Sequence, residues 1–319
     1  MPQVSVVIPA YNAMQYLPET LESVLKQTFT DFEVLIVNDG SSDNVIDWVS
    51  QVKDPRVKLI SQTNQGLSGA RNTGILNAQG EYVAFLDADD LWESSKLEKQ
   101  VRCLNDNPEV GLVHTPMILV DEHGKSTGRV ISSDAEGNVF KELLQRNFIA
   151  CPSVIVRRSC FETVGVFNRS LRSIEDWDMW IRIASRYTFA VIKEPLSYYR
   201  QHTNNMSKNW QVMGQAFQQV IEESFQLAPE ELHYLKNRSY AYANICLAWK
   251  ALQCSDKDYQ LAEDFLFKAV GYYHPIRYSR ECIRLSLAIA LMRYFGSEGY
   301  NRLLSIGYAL RRRISAVIQ

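Results

Sequence analysis

A chain of 319 residues, 46% hydrophobic and 22% charged, is long enough for two packed units and excludes a disordered or fibrous polymer. Its 34 basic and 36 acidic side chains leave a formal charge of −2, so no nucleic-acid partner is expected without a local basic patch. Six cysteines with no C-x-x-C pair and no Cys/His metal spacing read as reduced thiols of a cytoplasmic chain.

Met1, Pro2 and Gln3 carry no secretory signal and lead straight into VSVVI (residues 4–8), stopped by Pro9. A short β-branched run without alternation marks a strand buried on both faces. Leu17, Leu21, Val24 and Leu25 then recur at helical spacing, with Pro18 in the first turn. EVLIV (33–37) is a second expected strand and runs into the turn sequence NDGSSD (38–43). A third strand is expected over 57–60, a helix over 69–78, and a fourth strand over 82–86 that ends on Asp87, Ala88, Asp89 and Asp90. Strands alternating with helices imply an α/β unit of Rossmann-like build, a mostly parallel sheet with helices on both faces. Ligands of such sheets bind beyond the carboxyl ends of the strands, so residues 9–12, 38–43 and 87–90 are expected on one rim.

From about residue 111 the pattern shifts to an α+β extension with short strands at 154–156 and 197–199. After about residue 207 the strand signals vanish, and 213–225, 230–252, 259–272 and 280–294 carry helical periodicity. The expected organisation is one unit over 1–207 and a helical C-terminal region over 208–319. No run of apolar residues is long enough to span a bilayer, the best being 285–292.

Asp87, Asp89 and Asp90 at the mouth of a buried strand repel one another unless a cation sits among them. Mg²⁺ and Mn²⁺ favour such oxygen ligands and leave positions open for phosphates, whereas a helix cap would need one acceptor rather than three. Asp39 lies in an Asn-Asp-Gly turn, where a plain turn role competes with acceptance of a uracil imide N–H. NQGLSGARN (64–72) matches neither a Walker loop nor G-x-G-x-x-G, which leaves Arg71 to set a guanidinium on a base or diphosphate. Glu175, Asp176 and Asp178 open a helix, where the bland reading is attraction to the helix dipole. His202 is either a surface residue or a metal or diphosphate contact. Trp92, Trp177 and Trp180 are core residues or sugar-stacking aromatics. Over 275–319, eight arginines stand against two glutamates, with Leu285, Ile289, Met292, Leu303, Leu304 and Leu310 between them. Two readings stay open there: helices packed on the rest of the chain, or a basic amphipathic surface for an anionic membrane.

Taken in order, VSVVIPAYN (4–12), LIVNDGSSD (35–43), NQGLSGARNTG (64–74), LDADDLW (86–92), SIEDWDMWIRIA (173–184) and YRQHTNNMS (199–207) resemble the glycosyltransferase family 2 enzymes of GT-A fold. The likeness covers about residues 1–207 and says little of 208–319. It implies a nucleotide-binding half over about 1–110 and an acceptor half over about 111–207. Pro9, Ala10, Tyr11, Asn12, Asp39, Arg71 and Asp87 would line the nucleotide pocket. Asp87 and Asp89 would correspond to the family's D-x-D pair, with Asp89 meeting Mn²⁺ or Mg²⁺ and His202 a third ligand. Asp176 would be the catalytic base of an inverting enzyme, with Glu175 the alternative, since a sugar hydroxyl of very high pKa needs a carboxylate to take its proton. From their residue type, not from the likeness, Trp92 and Trp177 are the aromatics expected to stack on an acceptor.

The expected activity is metal-dependent, inverting transfer of a sugar from a nucleotide donor, a UDP-sugar first, to a hydroxyl of a saccharide or lipid-linked saccharide in cell-surface glycan synthesis. The chain is expected in the cytoplasm, with peripheral contact to the inner membrane face through 275–319 left open. Two alternatives are a sugar-phosphate nucleotidyltransferase, whose Gly-rich, Arg-bearing loop is missing after residues 4–9, and a catalytically inactive nucleotide-sugar-binding protein.

Overall fold

The computed structural model describes residues 1–202, 205, 209–253 and 258–317. It divides into two compact units, residues 1–143 with 147–202, and residues 144–146 with the described part of 203–319. Residues 203, 204, 206 and 207 of the YRQHTNNMS stretch lie outside the described residues, as do Cys254 and the side chains of Leu303, Leu304, Leu310, Arg311, Arg312 and Arg313.

The strands of the first unit are β1 (Val4–Ala10), β2 (Phe32–Asp39), β3 (Val57–Gln62), β4 (Tyr82–Phe85), β5 (Leu91–Trp92), β6 (Val110–His114), β7 (Met117–Val120), β8 (Ser126–Ile131), β9 (Ile155–Arg157), β10 (Thr188–Val191) and β11 (Ser197–Arg200). Seven of them form a sheet in the order β10-β6-β9-β4-β1-β2-β3. β1, β2 and β4 are buried along their whole length, as their unbroken apolar runs require. Each fully buried Val, Ile or Leu there contributes about 1.5–3 kcal/mol. All neighbours in this sheet run parallel except β9, which is antiparallel to both β4 and β6. Its register pairs Ala10 with Asn38 and Asp39 with Gln62, so the residues after β1 and β2 emerge side by side at the carboxyl edge. The Leu86 N–H donates to the Val7 carbonyl at 3.1 Å and carries the chain after β4 to the same edge.

A second sheet, β5-β11-β7-β8, was not expected. Residues 110–120 enter both sheets, because Thr115 and Pro116 interrupt them and proline has no N–H for a ladder. The helices of this unit are α1 (Leu17–Leu25), α2 (Val45–Ser50), α3 (Gly66–Asn77), α4 (Lys96–Asp106), α5 (Phe140–Gln145), whose last residues group with the second unit, α6 (Arg158–Val164) and α7 (Glu175–Ala184).

The second unit is helical: α8 (Trp210–Leu227), α9 (Lys236–Gln253), α10 (Tyr259–Tyr272) and α11 (Arg280–Val317). α11 breaks at Gly296, whose φ of 66° and ψ of 178° lie in a region that essentially only glycine occupies. The Ser239 hydroxyl donates to the Leu144 carbonyl, and Arg146 pairs with Glu281 at 3.0 Å. Among the described residues no helix is long and apolar enough to cross a membrane. Cys103, Cys151, Cys160, Cys246 and Cys282 are free thiols.

Candidate active site

The rim at the carboxyl edge is built by loops that bind one another. Pro9 and Ala10 are buried inside β1, so Tyr11 and Asn12 are the residues of that segment at the surface. Asn12 takes a φ of 49°, a left-handed conformation that asparagine tolerates. Its N–H donates to the Ser41 hydroxyl (3.0 Å) and its Oδ1 accepts from the Ser42 N–H (2.8 Å), which ties the turn after β1 to the turn after β2.

Asp39 is buried at the end of β2. Its Oδ1 accepts from the Gln62 amide (2.7 Å) and the Gln65 N–H (2.8 Å), and its Oδ2 accepts from the Gly66 N–H (2.9 Å). Three acceptor positions of the carboxylate are thus filled by the chain, fixing the start of α3. Arg71, on α3, is 1% exposed and turned inward rather than toward the rim. Its Nη2 donates to Asp87 Oδ1 at 2.6 Å, its Nη1 pairs with Glu175, and its guanidinium lies 5.5 Å from the Phe167 ring. One buried cation therefore joins the segment after β4 to the start of α7. A fully buried arginine needs carboxylate partners, and these two ion pairs supply them.

The segment 87–90 is held from beneath. The Thr20 hydroxyl lies 3.0 Å from the Ala88 carbonyl and 2.9 Å from the Asp90 carbonyl. The buried Arg200 donates from Nε to the Asp89 carbonyl (2.8 Å), from Nη1 to the Glu122 carbonyl (2.9 Å), and pairs through Nη2 with Glu19 (2.7 Å). Asp90 is wholly buried; Oδ1 accepts from the Arg200 N–H at 2.9 Å and Oδ2 has no partner. Burial, and then the charges of Asp89 and Asp87, push its carboxyl well above the usual range. Asp90 is thereby part of the frame, whereas Asp87 and Asp89 keep about a quarter of their side-chain surface open, at 26% and 29%. Asp89 Oδ2 lies 2.8 Å from His202 Nε2, and the imidazole packs on Tyr16 with ring centroids 5.0 Å apart. Burial and the neighbouring Asp87 charge raise the Asp89 carboxyl, against the lowering effect of His202.

This donor set fits a hard divalent cation. Two partly open carboxylates, one of them bonded to an imidazole, gather negative charge that the chain does not fully neutralise. Among the described residues no three His, Cys, Asp or Glu side chains are grouped so that they could hold a metal ion together. A cation here would take its remaining ligands from water or substrate phosphates, as Mg²⁺ and Mn²⁺ sites commonly do.

α7 supplies the second acidic group. Ile174, at its N-cap, has a φ of 52°, a strained conformation for a β-branched residue that costs on the order of 1–3 kcal/mol. Glu175 is buried on Arg71, and Asp178 pairs with Arg182 at 2.7 Å, so both are committed to the fold. Asp176 stays half-buried; its Oδ1 accepts from the Trp177 N–H (2.7 Å) and from the Asn147 amide (3.2 Å). Loss of water, then the Glu175 charge, push this carboxyl up to about 7, with Arg71 pulling the other way. Asp176, rather than Glu175, is the carboxylate of the pair with surface to offer a ligand.

Trp92 and Trp177 are corrected from acceptor-stacking residues to core residues. They are 4% and 1% exposed, and their indole N–H groups donate to the carbonyls of Pro152 (2.8 Å) and Leu143 (2.7 Å), so neither presents a ring face to a ligand. Three neighbours of the site had no assigned role. Arg200 stood inside a recognised stretch, but its contacts with Asp89 and Asp90, 111 and 110 positions earlier, are visible only in the fold. Asn147, and Cys151, whose buried thiol is raised by desolvation close to Arg71 and the acids, lie in a segment without periodicity and gave no signal.

Residues 5–165 match the model of the family described as glycosyl transferase family 2. The chain belongs to that family. An uncharacterized glycosyltransferase of Rickettsia bellii is 37% identical over 204 residues, 64% of this chain and 29% of that one, so the chain spans under a third of that relative's length. The UDP-Glc:alpha-D-GlcNAc-diphosphoundecaprenol beta-1,3-glucosyltransferase WfaP of Escherichia coli is 33% identical over 228 residues, 70% of this chain and 85% of WfaP. Among solved structures, the mannosyltransferase PcManGT of Pyrobaculum calidifontis, in complex with GDP-Man and Mn²⁺, superposes with a TM-score of 0.60 at 20% identity, covering 97% of this chain and 86% of that one. At that identity the likeness speaks for the fold, and the family 2 fold is GT-A.

Proposed function

We propose that this family 2 glycosyltransferase moves a sugar, with inversion, from a UDP-sugar to a hydroxyl of a lipid-diphosphate-linked saccharide. The observation that carries the reading is Arg71, one buried guanidinium bonded to Asp87 and Glu175, which draws the acids after β4 and those opening α7 into one neighbourhood. The donor and acceptor classes are taken from the printed activity of WfaP, and the cation from the Mn²⁺ bound to PcManGT.

In this reading Asp89 and Asp87, with His202 bonded to Asp89, would hold a divalent cation, which would supply charge neutralisation for the departing diphosphate. Asp176 takes the proton of the acceptor hydroxyl as the acceptor oxygen bonds to the anomeric carbon and the bond from that carbon to the diphosphate oxygen breaks. The N–H groups of Trp177 and Asn147 fix the carboxylate's orientation while leaving Asp176 Oδ2 for the hydroxyl. Asn12, Tyr11 and Asp39 frame the nucleotide side of the rim, Asp39 by setting the start of α3.

A panel of UDP- and GDP-sugars, offered with a diphosphoundecaprenol-linked saccharide, tests this by release of free nucleotide. Release is expected from a UDP-sugar, stimulated by Mn²⁺ and removed by EDTA, with Asp89→Ala lowering the rate by about 10² or more. Turnover that survives both EDTA and Asp89→Ala would remove the cation and Asp89 from the mechanism.

A further inference from the structure

α11 carries two apolar faces where the sequence suggested one. Leu285, Ile289 and Met292, the residues that marked the helix as amphipathic, are 0%, 4% and 2% exposed and pack inside the second unit. On the opposite side Ile283 (48% exposed), Leu287 (60%) and Tyr294 (80%) recur at i, i+4 and i+11, with Phe295 (61%) beside them. At about 100° per residue, Arg280 and Arg284 fall in the same outward sector, and both are exposed. The single acid of residues 280–295, Glu281, lies outside this sector and is taken up by Arg146. The exposed face is therefore an aliphatic and aromatic stripe with two arginines and no acid within it. A contiguous apolar stripe of this kind marks an interaction surface.

We infer that this face of α11 lies on a membrane surface bearing anionic lipid. Charge chooses the occupant: arginines flanking an apolar stripe are attracted to anionic headgroups while aliphatic and aromatic side chains enter the headgroup boundary. The lipid-linked acceptor proposed above supports the same choice, and to that extent the inference rests on that reading. One such helix gives reversible rather than permanent attachment.

Co-sedimentation of the full chain with vesicles measures it. At about 0.1 M salt, wild-type chain is expected to pellet with vesicles of equal phosphatidylglycerol and phosphatidylcholine and at least about fivefold less with phosphatidylcholine alone. Arg284→Ala is expected to weaken binding about fivefold, and Leu287→Glu to bring it to background with an unchanged circular dichroism spectrum. Equal pelleting with both vesicles, or none, overturns the inference. So does a chain that is dimeric by sedimentation velocity, becomes monomeric in Leu287→Glu, and never binds vesicles, since the face would then belong to a second copy. Transfer to a water-soluble, short-chain acceptor separates the two readings. If wild type binds vesicles but transfers nothing, the proposed activity falls and the surface stands. If Leu287→Glu transfers normally to the soluble acceptor but no longer binds vesicles, both stand.

Discussion

Asp176 carries the one carboxyl of the acidic group pushed up to about 7, which places its ionisation in the range where the reaction would be assayed. A proton acceptor must be ionised to act, so kcat/KM is expected to fall about tenfold per pH unit below about 7 and to level off above it. A profile flat from about pH 5.5 to 8 would contradict Asp176 as base. Removing the amide that Asp176 accepts, by Asn147→Ala, takes away a hydrogen bond to the charged form and should move that limb to higher pH. The acids after β4 were legible in the sequence, because three carboxylates directly after a buried run have few structural reasons to be there, whereas Asp176 was singled out through the family likeness. The partners of these acids were not legible. Nothing near residue 71 tells that its guanidinium meets Glu175, 104 positions on, or that Asp39 is occupied by the N–H groups of Gln65 and Gly66. Tryptophans beside a motif carry no mark of which way the ring points, and burial decided against Trp92 and Trp177.

α3 presses on β1 where Gly74 leaves room: a Cβ there would lie 2.2 Å from Val7 Cγ1 and 2.8 Å from Cγ2. Gly74→Ala is therefore expected to cost about 1–3 kcal/mol, read as a lower urea midpoint at unchanged slope. An unchanged midpoint would mean that α3 can lift from the sheet without loss. The parallel strands β1, β2 and β4 were readable because strands buried on both faces show as unbroken apolar runs, whereas β3 is half-exposed and showed through its alternation of Val57, Leu59 and Lys58. β8 was not: it is exposed along nearly its whole length, and with no face to bury it shows no period of two. β5 has two residues, too few to carry a pattern, and β9 reads as a strand while giving no sign that it runs antiparallel to its neighbours.

The loss of strand signals after about residue 207 reflects a real change of architecture, since the second unit is helical throughout its described residues. Its helix faces were harder to assign, because a helix with apolar residues on two sides yields a weak periodic signal, and α11 is such a helix. The family match ends at residue 165, while the acids of α7 and His202 come later in the chain and complete the proposed site. That site stands or falls with a separation of donor binding from chemistry. Titration of a UDP-sugar with Mn²⁺ into wild type and Asp176→Asn, beside their transfer rates, is the measurement. Donor affinity is expected to agree within about threefold while kcat falls by about 10²–10⁴. An Asp176→Asn protein that transfers at the wild-type rate would contradict it.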